Sequence, residues 1–169
     1  MERPAKTLTD VAQLLQVSDL ITTNIRRVIE AWSAESSPSS SNASKSLPSP
    51  ALHEAQRTLL AATGTLAELV SEPSVRVLEL GCQYWESRAL YIAAERRIPD
   101  ALANAENASL TAEELADKTG IEARKLDRVM RCLCSNHVFR EVEGGRFANN
   151  RISAALVGNE PLRAYVLLL

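Results

Sequence analysis

The stretch from Leu110 to Asn149 constrains the fold more than any other part of the sequence. Thr111-Ala112-Glu113-Glu114 has the form of a capping box, in which the threonine hydroxyl accepts from the amide three residues on and the glutamate reaches back to the threonine amide. A short helix from there to Lys118 is followed by Gly120, the residue type that tolerates the left-handed conformation after a helix end. Ile121 begins the turn into a longer helix reaching about Asn136, with Leu126, Val129, Met130 and Leu133 on its apolar face. Val138 to Val142 and Arg146 to Asn149 read as two short strands around Gly144-Gly145, expected to form a two-residue turn with positive φ at both positions. Helix, turn, helix, hairpin is the order of a winged helix-turn-helix.

The remainder reads as helical. Residues 36–50 contain eight serines and three prolines, too little apolar surface to offset the entropy of ordering, so they are expected to be a disordered linker. Before it, a helix from about Leu8 to Ala34 carries Leu14, Val17, Ile21, Ile25, Val28 and Trp32 in steps of three and four. A helix tethered so loosely is expected to be a detached arm, burying its stripe on a second copy or on its own chain at a distance. Leu14, Ile21, Ile25, Val28 and Trp32 are therefore the candidate dimer-interface residues. A second helix fits Ala51 to about Ser71, with Pro73 past its end, and a third fits Tyr84 to about Arg97, ended by Pro99. The expected organisation is a helical arm (1–35), a linker (36–50) and a mainly α winged-helix domain (51–169) with a small β-hairpin wing.

Composition narrows function. With 169 residues and a formal net charge of -2, there is room for one domain and its arm, and no long-range field to recruit nucleic acid or an anionic membrane. No apolar run approaches the roughly 20 residues that span a bilayer, and the polar amino end is unlike a secretory signal, so a cytoplasmic location is expected. Cys82, Cys132 and Cys134 are an odd number, which suits reduced thiols.

Each catalytic or binding motif has a simpler reading. Val77-Leu78-Glu79-Leu80-Gly81-Cys82 looks like the strand and first glycine of a cofactor loop, but Gln83, Tyr84 and Trp85 stand where small residues should follow. A turn or helix start, with Gly81 relieving crowding, is expected there. Cys132 and Cys134 diverge by about 200° on a helix and cannot chelate one ion, so no metal is expected. His53 and His137 belong to no nucleophilic or acid–base constellation. Arg124, Arg128 and Arg131 line one helix face beside Lys125, yet residues 111–151 hold eight Lys/Arg against seven Asp/Glu, and the wing carries Glu141 and Glu143. That is a weak footprint for DNA.

Three stretches carry a resemblance: Tyr84 to Leu102, Leu110 to Ala116, and Phe147 to Leu156. Together they resemble the amino-terminal dimerisation domain of fungal, plant-type S-adenosylmethionine-dependent O-methyltransferases. The resemblance implies a homodimer in which this domain intertwines with its twin and roofs the pocket of a small secondary-metabolite substrate. A carboxyl-terminal domain, expected beyond Leu169 and absent here, would bind S-adenosylmethionine and carry the catalytic histidine. No catalytic, cofactor-binding or metal residue is therefore expected in this chain. Tyr165, Leu162 and Val166 are the candidate pocket-facing residues. Two other readings compete: a stand-alone binding or cyclisation-assisting protein resembling pericyclases, and a DNA-binding regulator.

Overall fold

The computed structural model describes residues 7–35 and 48–169; most of the serine- and proline-rich segment lies outside the described residues. The chain divides into two compact units, 1–78 and 79–169.

The first unit pairs α1 (Leu8–Glu35) with α2 (Pro50–Val70). The start of α2 follows from its sequence: Pro50 supplies a fixed φ in the first turn and Ser49 accepts from the Leu52 amide at 3.2 Å. Val28 packs with Leu52 and Ala55, and Ala31 lies against them. The helix expected to be detached is thus seated on α2. Its buried side includes Val17, Asn24 and Val28. Asn24 is 2% exposed; its amide donates to the Leu20 carbonyl at 2.9 Å, while its Oδ1 has no partner among the described residues.

One helix, α3 (Pro73–Glu95), replaces the expected turn and shorter helix. Pro73 begins it instead of merely following α2, because the Glu72 carboxylate accepts from the Val75 amide at 3.0 Å and caps the first turn. Gly81 sits mid-helix with nothing within 4 Å of where a Cβ would stand, so it relieves no crowding. The helix ends at Glu95, and Arg97 takes φ 52 in the left-handed region before α4 (Ile98–Ala103), which holds Pro99 in its first turn.

The second unit is the winged helix. Its sheet has three antiparallel strands in the order β1-β3-β2: β1 (Ser109–Thr111), β2 (Phe139–Val142) and β3 (Arg146–Asn149). The hairpin was expected, but β1 was not; three residues are too few to show a period. Val142 pairs with Arg146, so the connection is Glu143-Gly144-Gly145, one residue longer than the expected turn. Gly144 (φ 77) and Gly145 (φ 68) adopt the positive φ that their lack of a Cβ allows. Between β1 and β2 lie α5 (Ala112–Thr119) and α6 (Ala123–Ser135). Thr111 and Glu114 form the reciprocal capping box, and Gly120 (φ 71) terminates α5. Replacing Thr111 with alanine should cost about 1 kcal/mol, checked as a lowered urea midpoint with an unchanged slope.

The core of this unit gathers Ile98, Leu102, Leu115, Leu126, Met130, Leu133, Phe139 and Phe147, all nearly or fully buried. Val129, expected among them, packs at the edge. After β3, a 3-10 turn (Ser153–Leu156) leads into α7 (Glu160–Leu168).

Candidate interaction surfaces

The carboxyl-terminal helix α7 is anchored at its start. Asn159 caps it by accepting from the Leu162 amide at 3.2 Å, and the Gly158 amide donates to the Asp100 carboxylate at 2.8 Å. Glu160 is held by Arg97 at 2.6 Å and by Arg163 at 3.1 Å; these two guanidiniums keep its carboxyl below the ordinary carboxylate range. From this anchored start the helix presents Leu162, 36% exposed, and Tyr165, 60% exposed, with Val166 half-buried. The three pocket candidates thus share one helix whose apolar side chains are largely uncovered.

A second surface lies between α3 and α6, a groove of about 380 Å³. Tyr84, Trp85, Ile92, Val129 and Cys132 supply its apolar lining, and Arg88, Lys125 and Arg128 its cations. Tyr84 and Trp85 meet edge to face at 5.3 Å, and the Arg88 guanidinium lies 4.5 Å from the Tyr91 ring. In the sequence, Tyr84 and Trp85 stand against a glycine loop and open the first stretch of the resemblance, and neither role marks a surface. The signal for a surface was two bulky aromatics outside the stripe of Leu90, Ala93, Ala94 and Ile98 on their helix.

Two of the four α6 cations are held in ion pairs. Arg131 donates to both Asp127 oxygens at 3.0 and 3.1 Å and lies 3.5 Å from Glu141 of the wing. Lys125 pairs with Glu122 at 3.5 Å. Arg124 and Arg128 share a groove with Glu113, Glu122 and Asp127. The charges of Arg131 and Lys125 are thus compensated locally.

Cys132 and Cys134 are not activated thiols. Burial pushes the Cys134 thiol up to about 11, aided by Glu141, and burial likewise raises Cys132. Such thiols are held protonated and poorly nucleophilic. Among the described residues no group of three or more His, Cys, Asp or Glu side chains is placed to hold a metal ion, and no helix is long and apolar enough to cross a membrane. Nor do the described residues fit S-adenosylmethionine. Gly81 is inside α3 instead of ending a strand, and the only sheet among them is the three-stranded antiparallel one, without the strand–loop–helix cradle such a cofactor uses.

A winged-helix scaffold whose arginines Arg131 and Arg146 are tied to carboxylates, and whose apolar side chains on α3 and α7 are exposed, has surface left for assembly. Comparison with known proteins agrees. Residues 78–159 match the O-methyltransferase dimerisation domain, and the chain belongs to that family. It is 51% identical to O-methyltransferase cicE of Emericella nidulans over 99% of its own length and 35% of that protein. It is 53% identical to O-methyltransferase gedA of Aspergillus terreus over 99% of its length and 36% of that protein. The chain therefore spans about a third of these curated relatives. Among solved structures, LaPhzM superimposes with a TM-score of 0.53 at 35% identity, covering 58% of this chain and 29% of that one. The methyltransferase CalO1 of calicheamicin biosynthesis, in its SAH-bound form, gives 0.50 at 35% identity, covering 57% and 28%.

Proposed function

We propose that this chain is the dimerising and substrate-lid part of a cytoplasmic, S-adenosylmethionine-dependent O-methyltransferase acting on a hydroxylated aromatic or polyketide-type metabolite. The supporting observation is the dimerisation-domain match on a unit whose α7 side chains Leu162 and Tyr165 are exposed. The cofactor supplies an electrophilic methyl group to the substrate oxygen; no described residue of this chain takes part in that step. The contribution of this chain is to bring two protomers together and to wall the pocket with Leu162, Tyr165 and Val166, excluding water from the reacting groups.

Calorimetry and kinetics test the reading. The purified chain should sediment as a dimer and release no heat with S-adenosylmethionine, and binding at micromolar affinity would overturn the assignment. In the whole protein, Tyr165→Ala should raise KM for the hydroxylated substrate and leave cofactor affinity unchanged. An unchanged substrate KM would remove Tyr165 from the pocket.

A further inference from the structure

The side of α1 that faces α2 is not its only apolar stripe. Leu8, Val11, Leu15, Ile25, Ile29 and Trp32 are 91%, 52%, 64%, 43%, 53% and 46% exposed. With exposed Ser18 and Thr22 they recur in strictly alternating steps of three and four, the spacing of a coiled-coil seam. The seam is also a palindrome about Leu20. Leu8 mirrors Trp32, Val11 mirrors Ile29, Leu15 mirrors Ile25, and Ser18 mirrors Thr22.

We infer that this seam is an isologous interface with a second copy of the chain, the two α1 helices packing antiparallel about a two-fold axis at Leu20. The inference rests on the homodimer reading above and supplies its contact surface. A two-fold operator sets a patch on itself, and antiparallel pairing of this stripe places each apolar residue opposite another apolar residue. The two small polar residues meet at the centre, where helices approach closely; Thr22 already donates to the Ser18 carbonyl at 2.9 Å, so its hydroxyl enters the seam satisfied.

Charge agrees with the geometry. Asp19 and Arg26 each follow a seam residue and lie on the same edge. Side chains lean toward the amino end of their own helix, which in antiparallel helices carries Arg26 toward the partner's Asp19, twice by symmetry. The six apolar residues expose about 600 Å² per helix, and the flanking residues bring the seam toward the roughly 800 Å² per partner of a standard interface.

Sedimentation equilibrium of the whole 169-residue chain tests this, with helicity followed by circular dichroism. Leu15→Glu should weaken self-association at least about 100-fold, because it sets a carboxylate against the partner's Ile25 at both ends of the seam. Asp19→Arg alone or Arg26→Asp alone should weaken it about 5- to 10-fold by creating like-charge pairs, and the double reversal should restore the wild-type constant. A wild-type dimer whose constant ignores Leu15→Glu, or a double reversal no tighter than the single ones, overturns the seam but leaves the homodimer reading standing. A monomeric wild-type chain overturns both.

Discussion

Replacing Phe147 with alanine should destabilise the winged-helix unit by about 3–5 kcal/mol, a large part of the roughly 5–15 kcal/mol that holds a domain folded. Phe147 is fully buried on β3, the central strand, where it is in register with Leu110 of β1 and Glu141 of β2. Truncation removes apolar surface and leaves a cavity against which rigid neighbours on three strands and α6 relax only partly. The damage should spread to the next residue. The Arg146 guanidinium donates to the Ser109 carbonyl and to Glu114, each at 2.9 Å, so loosening β3 also loosens the capping box of α5. Urea unfolding followed by far-ultraviolet circular dichroism measures the loss. A change below about 1.5 kcal/mol would mean that the site repacks as it does for a volume-conserving swap.

The second large effect is expected at Asn150, where one side chain ties the wing to the turn that launches α7. Its Nδ2 donates to the His137 carbonyl at 2.6 Å. Its Oδ1 accepts from the Ile152 amide at 2.7 Å and the Ser153 amide at 3.2 Å. His137 stands in the left-handed region at φ 57, a conformation costly for a residue with a Cβ, and the Asn150 amide helps to hold it. Asn150→Ala strands one carbonyl and two amides, some of which water reaches, so a loss of about 2–3 kcal/mol is expected. Asn150→Asp keeps the acceptor and loses the donor, setting a carboxylate against the His137 carbonyl. It should also be destabilised at neutral pH and partly recover at acidic pH, where the protonated acid donates again. Unfolding titrations of both variants at neutral and acidic pH check this; an aspartate variant insensitive to pH would show that the donor to His137 carries little.

Much of the fold was legible where the cause is local. The capping box of Thr111 and Glu114, the left-handed Gly120 and the paired glycines of the wing depend on atoms within a few residues of one another, and all formed. Helix periodicity likewise placed α1, α2, α5 and α6. What failed were inferences from one residue about distant space. Pro73 was expected only to follow a helix, whereas a proline also suits the first turn of the next one, and the capping carboxylate of Glu72 starts α3 there. Gly81 suggested a turn, but nothing nearby penalises glycine in a long helix enough to break it. Strand β1 exists because β3 offers it an edge, and three residues cannot announce that by pattern.

The surfaces divide in the same way. Sequence spacing found an apolar stripe on α1 but merged two. Ile25 and Trp32 lie on the exposed seam, Val28 lies on the face against α2, and half-buried Ile21 and 39%-exposed Leu14 lie on the α2 side of that seam. By itself, the sequence determined the winged-helix order, the near-neutral charge and the lack of a glycine loop, because each is a property of neighbouring residues. Only the tertiary structure decided which stripe of α1 is covered, that Arg131 is bound by Asp127 and Glu141, and that Tyr84 and Trp85 line a groove. Those outcomes depend on which distant surfaces meet, and a one-dimensional period cannot distinguish two apolar faces of a helix until a partner buries one of them.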